Sequence, residues 1–290
     1  MPQSTSAAAI DIVTRVRRAG RRWLPYRLRA RVAVARRCLR DRRRRVDFAR
    51  RRGDPAAFPH RFSGYQLPFI IYAGQEQYAA AKRHNQRLMA SALHCLRVDP
   101  GQVFSLWRCA GRPRARRGYL PGVVLVDGRI AMDEGGSTCL LSTVLYNAGL
   151  LAGLDVVERH AHSTDVYGES RYYELGRDAT ILYGVLDLRF RNPYPFPVLL
   201  DVTVDDARVA AVFRAPVPDL PAVEITVAGH GDEDRERATA ASPRLLRVGA
   251  LRTITPPGGA PRTESVGWSE YRIPGATAGP AGEDRRAGRG

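Results

Sequence analysis

The chain has 290 residues, with 46 basic against 29 acidic side chains and a formal net charge of +17. That length builds its own apolar core, four cysteines are too few for a disulfide-stapled scaffold, and no stretch reaches the ~18 apolar residues of a membrane-spanning helix. The early residues also lack an apolar leader with a small-residue cleavage site, so the expectation is a cytoplasmic chain or one peripheral at a membrane.

Charge is unevenly placed. Residues 1–53 hold 18 arginines against Asp11, Asp41 and Asp47, so this arm carries nearly all of the net positive charge. Lys82 is the one lysine in the chain, which marks arginine use as partly a compositional habit. Apolar residues such as Val13, Trp23, Tyr26, Val32, Leu39 and Phe48 interleave with the charges. That mixture suits basic amphipathic helices on an anionic membrane surface, or a solvated helix docked by its few apolar positions. Nucleic acid is the rival partner, but the chain has no zinc-finger spacing or RNP-type aromatic run, which argues against it.

Gly53-Asp54-Pro55 and Phe58-Pro59 mark a linker. Glu76 to Leu96 reads as a long helix that takes Cys95 into the core. Val123 to Val126 and Arg129 to Met132 flank Asp127-Gly128, a strong hairpin signal. The second strand leads into Asp133-Glu134-Gly135-Gly136-Ser137-Thr138-Cys139, and Leu140, Leu141, Val144, Leu145, Ala148 and Leu151 then recur at helical spacing up to a stop at Gly153. Cys139 is off that apolar stripe, aligned with Ser142, Thr143 and Tyr146. Asp155 to Ser163 has strand character, as do the stretches at 179–183 and 186–191. Val198 to Val204 and Arg208 to Arg214 form a hairpin about Asp205-Asp206, and Val223 to Val227, Leu251 to Thr255 and Ser265 to Ile273 add strands. Pro274 to Gly290 has the composition of a disordered tail.

Chemistry concentrates at Cys139. The glycines Gly135 and Gly136 allow a sharp turn, Ser137 or Thr138 serves as N-cap, and the first-turn N–H groups favour a thiolate. A helix from Cys139 to Gly153 climbs roughly 21 Å, and an antiparallel strand recovers about 23 Å in seven residues. That path returns His160 or His162 level with Cys139, as thiol acyl transfer requires, the imidazole taking the thiol proton and later protonating the leaving group. Asp178, in the turn Gly176-Arg177-Asp178, is the candidate to orient the imidazole, and Asp187 is a second. Backbone N–H groups from Ser137 to Leu140 are the candidate oxyanion donors, and Tyr172 and Tyr173 the candidate substrate-groove residues. Cys38, Cys95, Cys109 and Cys139 include no Cys-x-x-Cys pair, and with the histidines they lack zinc-ligand spacing, so neither a metal nor an organic cofactor is expected. Cys109, next to Trp107-Arg108, is a further thiol within possible reach of the site.

Several short blocks occur together in order: Pro100-Gly101-Gln102-Val103-Phe104-Ser105-Leu106-Trp107, Gly118-Tyr119, Gly135-Gly136-Ser137-Thr138-Cys139, Glu158-Arg159-His160-Ala161-His162-Ser163, Gly176-Arg177-Asp178-Ala179-Thr180 and Asp187-Leu188-Arg189-Phe190-Arg191-Asn192. Over roughly residues 60–215 the chain resembles the VanW-domain family. The resemblance implies an α+β fold with helices packed on a mostly antiparallel sheet. It also implies a role connected with peptidoglycan, because some multidomain members are associated with L,D-transpeptidase activity through the family cysteine, which falls on Cys139. The family histidine falls on His162, with His160 beside it. Ser137 stands where the family usually has a third glycine, and Leu140 stands where it usually has a glutamine.

The organisation expected is therefore a basic arm over 1–55, a VanW-like domain over 56–215, a β-rich extension over 216–275 and a disordered tail over 276–290. The expected function is cysteine-dependent acyl transfer on a peptidoglycan stem peptide, L,D-transpeptidase-like. A non-catalytic protein that binds peptidoglycan precursor or glycopeptide in the same groove is the alternative.

Overall fold

A computed structural model describes residues 26–126, 129–165, 167–230 and 244–273. Trp23, the Asp127-Gly128 turn and the tail after Pro274 lie outside the described residues. The chain forms two compact units, Met1–Val46 and Asp47–Gly290. In the first, helix α1 spans Tyr26–Arg43, with Arg40, Arg42 and Arg43 in its last turn and Val32 and Leu39 exposed on it. Cations at a helix C-terminus complement its negative end.

The second unit is α+β. Strands β1 (His60–Pro68), β9 (Arg208–Ala215), β8 (Val198–Val204) and β2 (Leu96–Val98) form a four-stranded sheet in that order, every pairing antiparallel. A smaller antiparallel sheet joins β3 (Val103–Ser105), β7 (Arg189–Arg191) and β6 (Asp155–Glu158). Strands β4 (Pro121–Val126) and β5 (Arg129–Glu134) form the expected hairpin, while β10 (Ala222–His230), β11 (Arg244–Thr255) and β12 (Arg262–Ile273) form an antiparallel meander whose strands run longer than the sequence pattern suggests. No described helix is long and apolar enough to cross a membrane.

Helix α2 (Ala79–Leu93) packs on β8, α3 (Leu106–Ala110) is a short turn, and α4 (Cys139–Leu151) lies against β1, β9 and β10. On its other side, Tyr146 of α4 stacks on Phe190 of β7 at 6.3 Å. Covered on several sides, α4 buries every residue from Leu140 to Leu150. The one-stripe expectation for this helix is therefore corrected. Each fully buried leucine contributes about 1.5–3 kcal/mol of apolar transfer, so α4 is the spine of the core. It ends as read, with Gly153 at φ 66 and its N–H bonded to the Leu150 carbonyl.

Other local expectations shift. Cys95 lies past the end of α2 at φ 59, half-buried and outside the helix. Strand β6 stops at Glu158, so residues 159–163 leave the sheet and the strand character expected from Asp155 to Ser163 ends early. Ala179 to Tyr183 forms no strand either: Thr180 N–H goes to the His160 carbonyl, Leu182 bonds Leu186, and the backbone at Arg177 and Ala179 bonds α4 side chains. Ser142 Oγ donates to the Ala179 carbonyl at 2.6 Å, Thr143 Oγ1 accepts from Ala179 N–H at 3.1 Å, and Asn147 Nδ2 donates to the Arg177 carbonyl at 2.8 Å. The polar side of α4 is thus buried against the segment that carries Asp178.

Candidate active site

Cys139 opens α4 and is half-buried. The turn before it is held by backbone crowding. A Cβ on Gly136 would lie 2.2 Å from the Gly122 carbonyl oxygen, and one on Gly122 would lie 2.6 Å from the Gly136 carbonyl oxygen. Neither backbone has room to give, so an alanine at either position must part the turn from β4. Ser137 adopts φ 65, a region costly for any residue but glycine. Its hydroxyl accepts from Val123 N–H at 3.1 Å and donates to the Val123 carbonyl, which stitches the turn to β4. Thr138 takes the N-cap position, but its hydroxyl donates to the Gly135 carbonyl and caps nothing, a correction to the capping expected of Ser137 or Thr138.

From α2, two fully buried amides reach the same turn. Asn85 Nδ2 donates to the Gly136 carbonyl at 3.1 Å and Gln86 Nε2 to the Ser137 carbonyl at 2.9 Å. The N–H groups of Gly135, Gly136 and Ser137 are committed to the carbonyls of Leu120, Asp133 and Val123. Donors without an intrahelical acceptor therefore remain only in the first turn of α4.

His162 is buried, and it acts on the Cys139 thiol, whose sulfur lies 3.7 Å from Thr180 Oγ1. Its Nδ1 lies 2.5 Å from Asp178 Oδ2, which leaves Nε2 as the ring nitrogen for the sulfur. Asp178 is wholly buried and saturated. Oδ2 also accepts from His162 N–H at 2.7 Å, and Oδ1 accepts from Arg159 at 2.8 Å and from the Tyr271 hydroxyl at 2.6 Å. Burial pushes the Cys139 thiol up, but the His162 hydrogen bond and charge, aided by Ile181 N–H and Thr180, outweigh it and hold the thiol below its ordinary value. Burial also works against the imidazolium, yet Asp178 and Cys139 retain its proton and lift His162 to about 10. For Asp178, the His162 and Arg159 partners overcome burial and keep the carboxyl below the usual range. These shifts favour a thiolate beside an imidazolium, backed by a carboxylate.

Tyr173 stacks on the His162 ring with centroids 5.3 Å apart, and Tyr172 meets Tyr173 edge-on at 5.0 Å. Burial raises the Tyr172 hydroxyl, and the Cys139 charge adds to it. Tyr167 and Tyr72 extend this aromatic wall. The remaining candidates lie elsewhere. His160 Nε2 pairs with Glu158 at 2.9 Å, away from the thiol. Asp187 accepts from Ser105, the Trp107 N–H and Arg189, so it braces α3 and β7 and does not orient His162. Cys109 faces the Ala49 carbonyl, and burial pushes its thiol up to about 11. No group of three or more metal-ligating side chains is arranged around a common point among the described residues.

Sequence reading missed Arg159, Tyr271, Asn85 and Gln86. Arg159 lay inside a quoted block, where a buried guanidinium beside Asp178 was a readable option. Tyr271 had no local signal.

Residues 81–213 match the family described as VanW like protein. This stretch resembles the VanW family. Its sequence is 35% identical over 120 residues to the uncharacterized protein YoaR of Bacillus subtilis (strain 168), which covers 41% of this chain and 38% of that protein. It is also 31% identical over 133 residues to the vancomycin B-type resistance protein VanW of Enterococcus faecalis (strain ATCC 700802 / V583), covering 46% of this chain and 48% of that one. The chain spans less than half the length of these curated relatives. No solved structure matches it. Cys139, His162 and Asp178 fall within the matched residues of the VanW-like domain, whereas Tyr271 falls outside them.

Proposed function

We propose that the VanW-like domain is a cell-wall-related cysteine acyltransferase, L,D-transpeptidase-like, acting on peptidoglycan stem peptides. The observation that carries the reading is His162, bonded through Nδ1 to the buried Asp178 carboxylate and holding the Cys139 thiol below its ordinary value. Similarity to a vancomycin resistance protein supports the cell-wall side.

In this reading the Cys139 thiolate attacks an amide carbonyl of the donor stem. First-turn N–H groups of α4 hold the oxyanion. The tetrahedral intermediate collapses, the C–N bond breaks, and the leaving amine takes the proton from His162 Nε2. Neutral His162 then deprotonates the acceptor amine, which attacks the thioester and releases the thiolate. Asp178 keeps the ring in position throughout, and Tyr172 and Tyr173 line the donor groove. The partner read for residues 1–53 is an anionic membrane surface.

One observation favours a second reading, a non-catalytic binder of peptidoglycan precursor. Leu140 is 2% exposed and packed in the core, so no side-chain amide flanks the thiol at that position. Intact mass spectrometry after incubation with a stem tetrapeptide separates the two. The enzyme gives an acyl adduct that Cys139→Ala abolishes. Saturable binding of the peptide with no adduct on the wild-type protein supports the binder.

A further inference from the structure

Lys82 stands on α2 one helical turn before Gln86, whose amide grips the Ser137 carbonyl two residues ahead of Cys139. It is the chain's one lysine and is partly buried. Its ammonium donates to the Ile70 carbonyl at 2.5 Å and lies 5.5 Å and 6.0 Å from the ring centres of Phe69 and Tyr72. Among the described residues no carboxylate pairs with it. An ammonium has three protons to donate, and a desolvated one short of partners is costly to hold. Burial lowers it to about 8, opposed by the charge of Cys139. Tyr72 stacks on Tyr167 at 4.5 Å, and Tyr167 leads on to Tyr172 at 5.9 Å. Tyr172 meets Tyr173, which stacks on His162, so aromatic faces run from the ammonium to the imidazole beside the thiol.

We propose that Lys82 is the anion-docking residue of the Cys139 site, and that the ligand carries a carboxylate next to the group presented to the thiol. The N–H groups not bonded to Ile70 take the carboxylate, and the tyrosine faces take the chain between it and the reacting carbonyl. This deepens the acyl-transfer reading by naming a charged substrate class, yet its tests need no turnover.

With one lysine in the chain, ¹³C-lysine labelling of the full-length protein gives a single ε-methylene environment to follow by NMR. Sodium acetate is expected to shift that signal saturably in the wild-type and Cys139→Ala proteins, while acetamide leaves it in place. A response to acetate no larger than that to acetamide overturns the proposal. The second arm compares alkylation of Cys139 by iodoacetate and by iodoacetamide. The iodoacetate-to-iodoacetamide rate ratio should fall on the order of tenfold in Lys82→Met and survive in Lys82→Arg. A ratio unchanged in Lys82→Met also overturns it. Acetate binding at Lys82 in a protein that forms no acyl adduct sinks acyl transfer alone, whereas an adduct without acetate binding sinks the anion site alone.

Discussion

Asp178 holds together charges that cannot otherwise share a buried space. It is wholly buried, accepts from both the ring and backbone of His162, and neutralises Arg159, whose side chain is 8% exposed. Removing one partner of such a pair leaves the other charge desolvated. Asp178→Asn is therefore expected to cost about 3 kcal/mol or more of folding stability. Urea denaturation checks this, and a loss under about 1 kcal/mol would mean that the pair is not buried in solution. Cys139 and His162 were legible because a glycine turn before a helix and a histidine one return strand later constrain each other by length. The choice between His160 and His162 was not legible. It depends on β6 ending at Glu158, and that end is set by Arg159 turning inward to Asp178, a tertiary contact with no sequence period.

At the scale of elements, β12 braces the site from outside the family match. Its Tyr271 hydroxyl donates to Asp178 and accepts from Gly176 N–H at 2.7 Å, its Ser269 meets Arg159, and its Arg272 backbone bonds Ser163 and Asp165 on the loop that carries His162. Tyr271→Phe removes one hydrogen bond to a charged group and orphans one N–H, which should lower stability by about 1.5–3 kcal/mol. Thermal melting that is unchanged in this variant would contradict the bracing role. The strand itself was readable from its alternation, as were α2, α4 and the β8–β9 hairpin, because local period and turn chemistry agree there. Its docking was not readable, since the bond from Tyr271 to Asp178 spans 93 residues and leaves no trace in either segment alone. Ala179 to Tyr183 looked like a strand for the opposite reason: β-branched residues satisfied the pattern, while Ser142 and Thr143 of α4 took up the Ala179 backbone, and Thr180 and Leu182 bonded His160 and Leu186.

The molecule as a whole pairs a charge-balanced domain with a strongly basic arm. If the arm engages anionic lipid, full-length protein should float with phosphatidylglycerol liposomes at low salt, and a chain starting at Gly53 should not. Equal flotation of the two would remove the arm from the account. The unit after Val46 carries the central claim, that the fold maintains a thiolate at Cys139 through His162. The most direct test is the pH dependence of Cys139 alkylation by iodoacetamide, resolved from the other cysteines by peptide mapping. Because the folded-state thiol is lowered, the rate should reach its plateau at a lower pH than an ordinary thiol does and fall as pH drops through that lowered value. In His162→Ala, burial acts unopposed by the imidazolium, so the curve should move above the ordinary thiol range of about 8.5. A wild-type rate that climbs only above that range, or one indifferent to His162→Ala, would contradict the account.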